Sequence, residues 1–251
     1  MIDLDEIRAQ SAVWGIAESQ IRKDHLVSHL LRALDGLRGF VFFGGTALNR
    51  TYLDNCRLSE DIDLFLMHSA PADTEAITAA LLKATRREFP DLVIEAVGLS
   101  GDVRTYIVTT EDLITQLQIV GPRQEDSRYP TAVKGVALRY SDLPEKVMLR
   151  VPTQDSFVAM KCAAYEDRKL PRDLFDLGAL AERGAIGSSA VETLRGFRGS
   201  GPTRWAYEDS RCPSPTQWDT ELAHQTKNVG DPLETLGRVR AALSLACGWG
   251  G

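Results

Sequence analysis

Apolar residues recur at two different spacings along this chain, and the switches between them outline its elements. Over residues 4–36 they return every three or four positions, as at Leu26, Leu30, Leu31 and Leu34, and Gly36 is placed to stop the run. That period is one face of an α-helix, so the leucines predict a core-packing helical stretch. Val41-Phe42-Phe43 is a short apolar run that predicts a buried strand, with Gly44-Gly45 turning the chain into a helix at Thr46. From Asp61 to Leu66 the period is two, which puts Ile62 and Leu64 on one strand face and Asp61 and Asp63 on the other. Helical spacing returns between Pro71 and Phe89 through Ile77, Leu81 and Leu82, and Pro90 closes it.

Strand-like runs follow at 92–97, 103–109 and 113–120, a polar stretch at 121–127 predicts a loop, and 133–151 can supply one or two further strands. Thr153 is placed to cap a helix over 155–168, and Gly184 and Gly187 end the next one. Leu233, Leu236, Val239, Ala242 and Leu243 give 232–245 an amphipathic helical pattern. Strands mixed with helices come first and helices alone come after. The expectation is an α/β (α+β) domain over 1–152, a mixed sheet with flanking helices, followed by a mainly helical domain over 153–251.

Composition narrows the classes. At 251 residues with 43% hydrophobic and 25% charged content, the chain matches an ordinary soluble globular protein. No apolar run approaches the ~20 residues that span a bilayer, and Met1-Ile2-Asp3-Leu4-Asp5-Glu6 is too acidic for a secretory signal. A cytoplasmic protein without a membrane partner is expected. Cys56, Cys162, Cys212 and Cys247 form no CxxC pair and are expected to be reduced thiols. A net charge of −6 argues against a protein that coats nucleic acid by bulk electrostatics, though not against one with a local basic groove.

Candidate chemistry gathers in 40–67. Two carboxylates side by side repel each other unless a cation neutralises them, so Asp61 and Asp63 are most naturally a platform for a divalent metal. The free amides after Gly44-Gly45 can face an anion. Further along, Lys161, Tyr165 and Arg168 share one helix face, a stripe that by spacing alone faces solvent. Residues 195–207 interleave Arg195, Arg198, Arg204 and Trp205 in a flexible context that reads either as a surface loop with two anchoring aromatics or as a contact for phosphates and unpaired bases.

The order of strand, Gly-Gly-Thr, helix, then strand with an Asp-x-Asp pair resembles the nucleotidyltransferase fold of the DNA polymerase beta superfamily. More narrowly, GGTALNR followed by RLSEDIDLFL is similar to the AbiEii/AbiGii group of nucleotidyltransferase toxins, which includes the mycobacterial MenT toxins. Lys23-Asp24-His25 resembles the group's Lys-Asp-aromatic tripeptide, with His25 in place of the usual aromatic. Lys161, Ala164 and Arg168 match its KxxAxxxR motif, and Arg172 to Leu177 matches RDxxDL at Asp173 and Asp176.

The resemblance implies transfer of a nucleoside monophosphate from an NTP to the 3′ end of tRNA, which blocks aminoacylation and growth, and an antitoxin encoded beside the toxin. It implies Mg²⁺ or Mn²⁺ on Asp61 and Asp63. The NTP would be held by Gly44, Gly45, Thr46, Ser59, Lys161 and Arg168, with Asp173 and Asp176 completing an active site between the two domains. The superfamily draws a third metal-binding carboxylate from a later strand, where this chain has Gln118. Two other readings stay open: a nucleotidyltransferase acting on a protein hydroxyl or an antibiotic-type small molecule, and a catalytically degenerate nucleotide-binding domain, which Gln118 favours.

Overall fold

The structure, a computed structural model, describes residues 2–53, 56–69, 71–122 and 129–249. The chain divides into two compact units, Met1–Ser127 with Thr131–Val151, and Arg128–Pro130 with Pro152–Gly251.

In the first unit the order is α1 (Leu4–Trp14), α2 (Glu18–Ala33), β1 (Phe40–Phe43), α3 (Gly44–Asn49), β2 (Ile62–Leu66), α4 (Thr74–Thr85), β3 (Val93–Ser100), β4 (Val103–Thr109), β5 (Ile114–Val120), β6 (Thr131–Ala137) and β7 (Lys146–Pro152). The expected helical stretch over 4–36 is thus two helices. Gly15 sits at φ 65° and donates its N–H to the Ser11 carbonyl, a left-handed cap that ends α1 before α2 begins. Leu26, Leu30, Leu31 and Leu34 are fully buried, as their spacing predicts. Their helix packs against α4 and β5.

Five strands form one sheet in the order β1-β2-β5-β4-β3, and β6 pairs with β7 separately. Only the β2–β5 pairing is parallel in the larger sheet, which makes it mixed. Of the polar stretch expected as a loop over 121–127, residues 121 and 122 lie outside any strand and 123–127 lie outside the described residues.

A buried ionic knot fixes α3 to α2. Asp24 accepts from Arg50 at 2.7 Å, Arg139 at 3.1 Å and the Tyr140 hydroxyl at 2.9 Å. Arg50 also donates to Ser28 Oγ at 3.0 Å and to the Ala137 carbonyl at 2.8 Å. Burial pushes the Arg50 guanidinium down to about 10 against the pull of Asp24, and at neutral pH it stays charged.

The second unit is helical: α5 (Gln154–Arg168), α6 (Pro171–Glu182), α7 (Ser188–Arg198), short 3-10 turns at Arg204–Tyr207 and Asp209–Arg211, α8 (Pro215–Leu222) and α9 (Pro232–Cys247). Thr153 caps α5 as expected, its side chain accepting from the Ser156 N–H at 3.3 Å. The α6 helix packs against α5, α8 and α9. No helix among the described residues is long and apolar enough to cross a membrane.

Candidate active site

The carboxylate pair and the Gly-Gly turn meet in the first unit. β1 runs antiparallel to β2 with Phe43 opposite Asp63, so the chain leaves β1 beside the aspartate. Gly44, at φ 79°, makes the turn into α3. A Cβ built on Gly44 would lie 2.1 Å from Asp63 Oδ2, so no side chain fits between this backbone and the carboxylate. Glycine is required here twice over, by dihedral and by space.

Thr46, fully buried, places its hydroxyl 2.9 Å from Ser59 Oγ and against the Asp61 carbonyl oxygen. Lys23 Nζ meets Glu60 Oε2 at 2.5 Å, and Thr115 donates to the Glu60 carbonyl. The buried Arg57 passes over Gly45, where an added Cβ would come within 2.8 Å of its Nη2. Residues 57–61 are therefore clamped from α2, α3 and β5, which sets where Asp61 stands. β2 opens at Ile62, one residue later than its sequence period suggests, so Asp61 immediately precedes the strand and Asp63 lies within it. Both side chains are half-buried, while Ile62 and Leu64 are in the core.

Gln118 stands directly beside Asp63 in the parallel β2–β5 register, and Thr105 stands on its other side. Its amide donates to Gln116 Oε1 at 3.4 Å. β5 contains no acidic residue, so this strand contributes an amide and no third carboxylate.

A second constellation lies within the helical unit. Lys161 Nζ sits between two carboxylates that solvent does not reach, 3.0 Å from Asp173 Oδ1 and 2.7 Å from Asp176 Oδ2. Arg168 grips Asp173 with two donors, Nε at 2.7 Å and Nη2 at 3.0 Å. Burial alone would push the Asp173 carboxyl up, but Lys161 and Arg168 outweigh it and hold the group below the usual carboxylate range. The stripe that spacing assigns to solvent is buried at Lys161 and Tyr165 and half-exposed only at Arg168, because α6 brings two acidic side chains against it.

The 195–207 segment is more ordered than its glycines suggest. α7 runs through Arg198, which pairs with Glu166 at 3.2 Å and with Asp167. Arg195 pairs with Glu192 one turn before it. Trp205 is half-exposed, with Lys169 Nζ 5.3 Å and the Arg211 guanidinium 4.9 Å from its ring centre. Two groupings escape a reading by local pattern: the Asp24 knot, and His25 and His29 facing Glu88 and Asp142. In the sequence, the one-turn spacing of the two histidines is the local mark of the second grouping.

A model of the family described as "Nucleotidyl transferase AbiEii toxin, Type IV TA system" matches residues 28–231. No protein with a curated description matches the chain in sequence. Among solved structures, the fold is similar to MenT4, a nucleotidyltransferase toxin from Mycobacterium tuberculosis, with a TM-score of 0.61 and 19% identity over 92% of this chain and 85% of that one. It is similar also to a protein from H. pylori described as a candidate nucleotidyltransferase, with a TM-score of 0.60 and 18% identity over 92% and 96% of the two chains.

Proposed function

Because the chain belongs to the AbiEii family of nucleotidyltransferase toxins of type IV toxin–antitoxin systems, we propose that it transfers a nucleoside monophosphate from an NTP to the 3′ end of tRNA. The acceptor hydroxyl oxygen bonds to the α-phosphorus, the bond to the bridging oxygen of the β-phosphate breaks, and pyrophosphate leaves. The hydroxyl proton passes to solvent. An antitoxin partner follows from the family; tRNA as acceptor is our assignment.

The observation that carries this reading is the cradle in which the Gly44 backbone meets the Asp63 carboxylate. Its donors are oxygens, the ligand type that suits Mg²⁺ or Mn²⁺, and Asp61 and Asp63 would hold the ion. When bound, such an ion lowers the pKa of the acceptor hydroxyl and neutralises charge on the leaving phosphate oxygens. Gly44, Gly45, Thr46 and Ser59 orient the triphosphate at the turn. Lys161 and Arg168 are assigned phosphate contacts, and Asp173 and Asp176 the anchoring of those two cations. For the RNA end, Trp205, with Lys169 and Arg211 beside its ring, offers the stacking platform.

Expressing the unaltered protein beside Asp61→Ala, and sequencing tRNA 3′ ends from both cultures, tests the whole assignment. Growth arrest with extended ends is expected only for the unaltered chain. Equal growth and unextended ends in both would reject the tRNA reading, and labelled NTP incubated with protein or aminoglycoside acceptors would then identify another hydroxyl, or none.

A further inference from the structure

We infer that the first unit holds a second metal site, chemically unlike the aspartate pair: a zinc-class site made by His25, His29, Asp142 and Glu88. The two histidines lie one turn apart on α2, Glu88 follows the end of α4, and Asp142 lies between β6 and β7. One ligand atom from each of the four falls within 4.8 Å of the other three.

Three of those atoms form a nearly equilateral triangle. His25 Nε2 is 3.1 Å from His29 Nε2, His25 Nε2 is 3.1 Å from Asp142 Oδ2, and His29 Nε2 is 3.2 Å from the same oxygen. Protons cannot satisfy all three edges. If each imidazole donates from Nε2 to the carboxylate, two N–H groups face each other; if one imidazole donates to the other, one contact to Asp142 loses its proton. A single cation above the triangle satisfies every edge at once. In a tetrahedral zinc site with bonds of about 2.0–2.1 Å, ligand atoms stand roughly 3.3 Å apart, close to the separations here. Glu88 is the fourth donor.

The surroundings hold the rings in place. Tyr140 meets His25 edge to face at 4.9 Å, and Phe89 meets His29 the same way at 5.5 Å. Two imidazoles with two carboxylates suit zinc and its neighbours, whereas Mg²⁺ prefers oxygen alone, so ligand type separates this site from Asp61 and Asp63. The ion would join three segments more than fifty residues apart, next to the Asp24 knot. Its role is structural: it ties α2 to the β6–β7 connection and so steadies the helix to which α3 is anchored.

The test uses the full chain, stripped with chelator and titrated with Zn²⁺ by calorimetry and with Co²⁺ by visible absorption. One equivalent is expected, with the intense bands of tetrahedral Co²⁺, and the Asp61→Ala/Asp63→Ala double variant should bind just as well. His29→Gln and Asp142→Asn, at partly exposed positions, should each weaken Zn²⁺ binding at least tenfold while leaving the far-ultraviolet circular dichroism unchanged. Zn²⁺ should raise the thermal midpoint of the unaltered protein and not that of these variants. Absence of binding at micromolar Zn²⁺, equal affinity in both ligand variants, or loss of binding in the aspartate double variant overturns the site.

Discussion

Asp63→Asn is expected to lower NMP transfer by about a thousandfold or more while the protein stays folded. The exchange keeps the shape that packs on Gly44 and removes the charge. A metal platform contributes several kcal/mol of stabilisation to a phosphoryl-transfer transition state, and ~4 kcal/mol is about three orders of magnitude in rate. Stability should hardly change, since Asp63 is half-buried beside an uncharged Gln118 while the core face of β2 is carried by Ile62 and Leu64. Asp61→Asn should fall as far. Rates with labelled NTP and tRNA, taken beside urea unfolding curves, read both quantities, and near-normal transfer in either variant would rule out the paired aspartates as the platform.

Lys161→Ala should destabilise the protein by about 3–5 kcal/mol at neutral pH, because it removes the cation that bridges Asp173 and Asp176, two carboxylates out of reach of solvent. The pH dependence has a definite sign. In the unaltered protein the Asp173 carboxyl titrates below its unfolded value, so its contribution is present above the ordinary carboxylate range and is lost as pH falls through the folded value. In the variant the stranded carboxyls gain by taking up protons, so the deficit against the unaltered protein should shrink as the medium is acidified. Urea unfolding at pH 7 and pH 4.5 measures this, and a deficit under about 0.5 kcal/mol at pH 7 would mean that the lysine behaves as a surface residue. NTP titration of the folded variant separates this support from a phosphate contact: unchanged affinity leaves Lys161 with the structural role alone.

Much of the first unit was legible because its signals are local. The period of two around Asp63, the apolar run of β1 and the Gly-Gly turn each depend on neighbours within a few residues, and the strands at 103–109 and 114–120 follow their patterns closely. The break at Gly15 is not legible from spacing, because apolar residues flank it on both sides, at Trp14 and Ile16, and its left-handed cap depends on dihedral freedom. The stripe at Lys161 was misplaced by spacing for another reason: periodicity tells which residues share a face, and the acidic pair that buries this face comes from the next helix. Asp24 with Arg50 and Arg139, or His25 with Asp142, could not be found by any local rule, since the partners are 26 to 117 residues apart.

The amide of Gln118 beside Asp63 also bears on the protein when no nucleotide is present. A third carboxylate in that register would crowd like charges in a half-buried row, and the sheet would lean on a cation to keep its shape. With Gln118, the row Phe43, Asp63, Gln118 and Thr105 carries one negative charge across four strands. Within that row there is no crowding of like charges to relieve, and the sheet should keep its fold when divalent ions are chelated.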